Sequence, residues 1–149
     1  MSYANLRKGR HSATDQIYHV TIAAAGRQPL FVDFKIARTV VAEMRLLHDH
    51  QVVNSLAWVL MPDHLHWLFQ LRDRQDLAAA IKALKGRSAR AIHRQLGRRG
   101  ALWQRGYHDH AVRTDEDLAA IARYIVANPL RARLVKSVGD YPLWDAVWL

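Results

Sequence analysis

Residues 52–71 read VVNSLAWVLMPDHLHWLFQL. β-Branched and aromatic side chains crowd this stretch, and Pro62 and Asp63 interrupt it. Val52–Met61 and Leu65–Leu71 therefore read as two strands joined in a hairpin, with Asp63 as a turn residue. His64 and His66 open the second strand in apolar company. Residues two apart on a strand share a face, roughly 6.5–7 Å apart. The two imidazoles therefore look the same way. They either bond to backbone and water or converge on one ligand.

Working outward, Ile17–Ala25 (IYHVTIAAA) is a strand by composition, closed by Gly26, Arg27, Gln28 and Pro29. From about Asp33 to His50, Ile36, Val40, Met44 and Leu47 recur at helical spacing. After the hairpin, Asp76 is placed to cap a helix running to about Leu96, with Leu77, Ile81, Leu84 and Ala91 on its buried side and Gly97 beyond its end. Leu102–Arg113 (LWQRGYHDHAVR) reads as a further extended segment. Thr114 then serves as N-cap of a third helix, with Asp115, Glu116 and Asp117 favourable to its dipole. That helix reaches about Ala127 and Pro129 ends it. The order β-α-β-β-α-β-α places the chain in the α+β class. Its first six elements make a ferredoxin-like split βαβ (βαββαβ), an antiparallel sheet with helices on one face, followed by a C-terminal helix. One domain over residues 1–149 is expected.

Charge narrows the function. The 149 residues hold 22 Lys and Arg against 13 acids, for a net +9, and no cysteine, which excludes disulfides and thiolate metal sites. From Leu77 to His108 there is no acid, yet the stretch carries Lys82, Lys85, Arg87, Arg90, Arg94, Arg98, Arg99 and Arg105. A field of one sign over part of a small protein is the footprint of a polyanion. In the fourth extended segment Trp103, Tyr107, His108 and His110 mix aromatic and basic character, which suits stacking on bases or contact with phosphate, although Trp103 serves equally as core. The N-terminal residues have no apolar run after their basic ones, and no run approaches the roughly 20 residues of a membrane helix. A soluble, cytoplasmic location away from membranes is expected.

The third helix offers partners for the histidines. Tyr124 and Asn128, four residues apart, lie on one helical face beside the stripe of Leu118, Ile121 and Ile125. Each has an ordinary role open to it, a boundary aromatic and a helix-ending amide. With His64 and His66 they also make chemical sense. Two neutral imidazoles and an amide oxygen would leave a bound Mg²⁺ or Mn²⁺ its full charge to polarise a phosphate, and a tyrosine hydroxyl beside it could attack phosphorus. Tyr107 is the rival nucleophile, and His19 on the first strand reads as structural.

The motifs WVLMPDHLHWLF, LWQRGYHDHAVR and YIVANPLRARLV, in that order and spacing, resemble those of the REP-associated tyrosine transposases, within the wider HUH single-tyrosine transposases. The resemblance runs from about Ile17 to Val135. It implies that His64 and His66 are metal ligands, with Leu65 the apolar residue between them. It further implies that Tyr124 is the nucleophile and that Asn128 is a third, polar ligand. The implied reaction is cleavage and rejoining of single-stranded or hairpin DNA through a 5′-phosphotyrosine, in a possible homodimer. Arg133 stands where members of that family commonly have glycine. Two other readings stay open from the residues: a DNA-binding module without chemistry, and a metal-dependent phosphohydrolase that uses water.

Overall fold

The computed structural model describes residues 15–97 and 99–147. The hairpin is its centre. Strand β2 (Val53–Met61) and strand β3 (His64–Leu71) pair antiparallel from Val53↔Leu71 to Met61↔His64, with a register shift between Ser55 and Ala57. Pro62 and Asp63 form the turn, and neither is left-handed. The turn is fastened from outside. Ala24 N donates to Asp63 O at 2.9 Å and Phe31 N donates to Pro62 O at 2.9 Å.

Strand β1 (Ile17–Ala23) lies antiparallel against β3, and β4 (His108–Ala111) against β1. Strand β5 (Trp144–Ala146) lies against β2, so the sheet runs β4-β1-β3-β2-β5 and is antiparallel throughout. The first four strands have the split βαβ order expected. The fifth was not anticipated: the sequence reading gave the tail only a few apolar residues.

Two helices cover one face, α1 (Phe34–Asp49) and α2 (Leu77–Leu96). Asp33 caps α1 by accepting from Lys35 N at 2.9 Å, and Asp76 caps α2 by accepting from Ala79 N at 2.7 Å. Gly97, left-handed at φ 63°, closes α2, a conformation that suits glycine. Their apolar sides meet Tyr18, Val20 and Ile22 of β1 and Leu65, Trp67 and Phe69 of β3 in the larger core.

Helix α3 (Leu118–Val126) covers the opposite face. Its Ala122, Ile125 and Val126 are buried against Ala57, Val59 and Met61 of β2 and Leu68 of β3. The two helices of the split βαβ thus share one face as expected, and the C-terminal helix packs on the reverse of the same chain's sheet. The N-cap of α3 is Asp117, accepting from Ala120 N at 3.2 Å, not Thr114. Glu116 is drawn off to bond His110 Nε2 and Arg113 N, which keeps the residues before Asp117 out of the helix. Pro129 does not end the helical path either. It sits in the first turn of α4 (Asn128–Arg131), where its missing N–H costs nothing. The fourth strand is shorter than expected because residues 101–107 form a loop. Lys85 holds that loop, donating to Gln104 O at 2.9 Å and Gly106 O at 2.5 Å. No helix among the described residues is long and apolar enough to cross a membrane.

Candidate active site

Alternation along β3 decides what the histidines face. Leu65, Trp67 and Phe69 point to the core under α1 and α2, so His64 and His66 share the α3 side with Leu68. Their ring centroids are 4.9 Å apart, edge to face. The antiparallel register places Thr21 directly opposite His66, and His108 opposite Thr21 on the other side. His19 and His110 form the next row. This half of the sheet face is therefore lined with imidazoles.

Each histidine of the pair is held through Nδ1. His64 Nδ1 donates to Asp63 Oδ1 at 2.7 Å, and Arg27 Nε donates to Asp63 Oδ2 at 3.0 Å. Gly26 and Arg27 are both left-handed, which turns the chain to deliver that guanidinium. Partial burial works to raise the Asp63 carboxyl, but the hydrogen bond and charge of His64, with Arg27 beside it, hold it below its usual value. His66 Nδ1 lies 3.1 Å from His19 Nε2 and 3.1 Å from Thr21 Oγ1. Burial, and then the charges of His64, His19, Arg131 and Arg27, push the His66 imidazole down to about 3, so it is neutral. Burial and His110 lower His19 as well.

Those bonds bear on whether the pair fits a metal ion. A carboxylate on Nδ1–H leaves the Nε2 lone pair of His64 free, and with its proton on Nδ1 His66 presents the same atom. Tethered imidazoles with a free Nε2 are what a divalent ion needs. Among the described residues no group of three or more His, Asp or Glu is arranged to hold one, so further donors must be of another kind. Asn128 is half-buried, and its Nδ2 donates to Ile125 O at 2.8 Å, which leaves Oδ1 as the oxygen for an ion.

Tyr124 projects from α3 and is 62% exposed. Arg131 lies over its ring, the guanidinium carbon 3.7 Å from the centroid, and donates from Nη2 to Tyr124 O at 2.7 Å. Arg131 is also among the charges acting on His66. Arg131 thus contacts Tyr124 through both ring and carbonyl, whereas the Asn128 side chain is engaged with its own helix.

The residues expected to meet DNA divide. Lys82, Arg90, Arg94, Arg99 and Arg105 are exposed, but Arg87 Nε pairs with Glu43 of α1 at 2.8 Å and the Lys85 ammonium clamps the 104–106 carbonyls. Arg98 lies outside the described residues. Helix α2 itself stands on the face opposite the histidine pair. Tyr107 packs against the core on that α2 side, with Lys85 Nζ 5.9 Å from its ring centroid, so it does not share the face of His64 and His66. His108 does share that face. Trp103 is core: it is 5.2 Å from the Phe31 ring, and its Nε1 donates to the buried Ser88 Oγ at 3.0 Å. Sequence reasoning gave no site role to Arg27, Thr21 or Arg131, and read Asp63 only as a turn residue and His19 only as structural. The strand register would have found His19 and Thr21, and the seven-residue spacing from Tyr124 would have found Arg131.

The family described as Transposase IS200 like matches residues 12–128, and the chain belongs to that family. Over 104 residues it is 34% identical to a protein of Haemophilus influenzae provisionally named a REP-associated tyrosine transposase, a match covering 63% of this chain and 59% of that one. Over 87 residues it is 30% identical to the REP-associated tyrosine transposase of Escherichia coli, covering 58% and 50%. The chain thus spans between half and three fifths of the length of these relatives. Among solved structures, a REP-associated tyrosine transposase bound to a REP hairpin superposes with TM-score 0.76 over 89% of this chain and 78% of that one. At 20% identity that likeness concerns the fold. A protein of Deinococcus radiodurans, provisionally assigned as a transposase, superposes with TM-score 0.57 at 27% identity, covering 76% and 91%.

Proposed function

We propose that this chain cleaves and rejoins single-stranded DNA beside a hairpin, with Tyr124 as nucleophile and a divalent ion, Mg²⁺ or Mn²⁺, held by His64, His66 and Asn128. The observation that carries the reading is the packing of α3 on the same sheet face that presents the two imidazoles. The hairpin substrate is suggested by the similar structure, whose protein is bound to a REP hairpin.

The ion supplies positive charge that polarises the scissile phosphate. The chain supplies the rest. Tyr124 Oη attacks phosphorus as the P–O3′ bond breaks, the phenolic proton is lost, and the departing 3′ oxygen takes a proton to become a hydroxyl. One phosphodiester becomes another, the 5′-phosphotyrosine, so no outside energy source is needed, and a second 3′-hydroxyl reverses the step. Asp63 and the His19–Thr21 pair keep the imidazoles in one tautomer and orientation. The exposed cations of α2, on the other face, grip the DNA backbone away from the bond that is cut.

The test is a denaturing gel of labelled single-stranded hairpin DNA incubated with the protein and Mg²⁺ or Mn²⁺. A covalent protein–DNA band is expected, absent in Tyr124→Phe and retained in Tyr107→Phe. A band that survives the first substitution and disappears with the second would move the chemistry to the other face of the sheet. Release of 5′-phosphate ends with no covalent band would favour a water-using hydrolase.

A further inference from the structure

Arg131 packs directly on the proposed nucleophile. It reaches Tyr124 because Pro129 lets the chain continue for one more helical turn. Arg131 N donates to Ala127 O at 3.0 Å, which places the residue two turns beyond the tyrosine. From there its guanidinium lies 3.7 Å over the Tyr124 ring, and Nη2 donates to Tyr124 O at 2.7 Å. Both Arg131 and Tyr124 are exposed. A stacked pair in water is worth little, and ordering a long side chain opposes it. Guanidinium has five N–H donors in a plane, of which the Tyr124 carbonyl takes one.

We propose that Arg131 grips a non-bridging oxygen of the scissile phosphate while its stacked plane holds the Tyr124 ring. One side chain then sets nucleophile and phosphorus in register. The assignment rests on the strand-transfer reading above. Arg131 keeps its protons throughout. The bond made is Tyr124 Oη–P, the bond broken is P–O3′, and the arginine neutralises charge on an oxygen that is neither attacking nor leaving.

Two substitutions separate a phosphate clamp from a helix cap. Arg131→Gln retains an N–H that can reach the Tyr124 carbonyl but has no charge. Arg131→Lys retains the charge but not the planar fork. Binding of a single-stranded hairpin oligonucleotide is measured by anisotropy over a salt series in the Tyr124→Phe background, and covalent-adduct rate with Tyr124 present. In Arg131→Gln the slope of log K against log salt should flatten by about 0.7, one phosphate's worth on a single strand. Its adduct rate should fall on the order of 10²-fold, as when one oxyanion donor is removed. Arg131→Lys should keep the parental slope and recover only part of the rate. An unchanged slope in Arg131→Gln, whatever the rate, would overturn the clamp and leave Arg131 as a cap on α3. If the unsubstituted chain forms no adduct, the strand-transfer reading fails instead, and the salt-slope arm still decides whether Arg131 touches a phosphate.

Discussion

Asp63→Asn should loosen the divalent-ion site without disturbing the fold. The carboxylate accepts from His64 Nδ1 at 2.7 Å and from Arg27 Nε at 3.0 Å. Asparagine has the same shape and can still accept one of these bonds, but it carries no charge to favour Nδ1–H over the other tautomer. Removing the outer partner of a metal-binding histidine typically weakens metal binding about 10–100-fold. That is about 1.4–2.8 kcal/mol at 1.4 kcal/mol per factor of ten. The lower half of the range is expected here, because one hydrogen bond survives and the Arg27 side chain, 55% exposed, contributes little through solvent. The assay is calorimetric titration of the apo protein with Mn²⁺, with His64→Ala as the floor and the melting temperature as the check on folding. Mn²⁺ binding unchanged in Asp63→Asn would refute the orienting role. Binding unchanged in His64→Ala would refute the site.

Three further outcomes follow from other parts of the molecule. Ser88→Ala orphans the buried Trp103 indole N–H, now bonded to Ser88 Oγ at 3.0 Å. It should cost about 1–3 kcal/mol in denaturant unfolding, and the double variant with Trp103→Phe should cost less than the sum of the two singles. Arg133→Gly relieves a left-handed backbone of φ 60° and should stabilise the chain by about 0.5–1 kcal/mol, read as a raised denaturation midpoint. Burial pushes the Tyr141 phenol up to about 12, and its Oη donates to Leu60 O at 2.6 Å. Because the folded value is raised, its stabilisation is complete below about pH 10, the unfolded value, and is lost as pH climbs through about 12. The stability gap between the parent and Tyr141→Phe should therefore narrow over that interval and stay constant below it.

Much of the fold was legible because it depends on local pattern. Period-two alternation in 52–71 gave the hairpin and the shared face of His64 and His66. Helical spacing and Asp caps gave α1 and α2. What stayed hidden depends on side-chain and strand partners that periodicity does not name. Strand β5 is three residues long and exists only because β2 offers it an edge. Thr114 lost the N-cap to Asp117 because Glu116 is taken by His110 and Arg113. The acid-free run announced its charge but not its direction, so nothing local marked Lys85 as a clamp on 104–106 or Arg87 as the partner of Glu43. Asp63 would point away from His64 on a regular strand. It occupies the turn instead, where its carboxylate can swing to His64 Nδ1. Position 133 had no mechanism from sequence; its left-handed backbone, φ 60°, is a conformation that favours glycine.

Helix α3 buries Ala122, Ile125 and Val126 against β2 and β3 of its own chain, so the tyrosine and the histidine pair travel together on one polypeptide. This has a kinetic consequence. Adduct formation under saturating DNA should be first order in protein, with the same rate per molecule at nanomolar as at micromolar concentration. Mixing a Tyr124→Phe chain with a His64→Ala chain should restore nothing, because neither can lend the other its missing half.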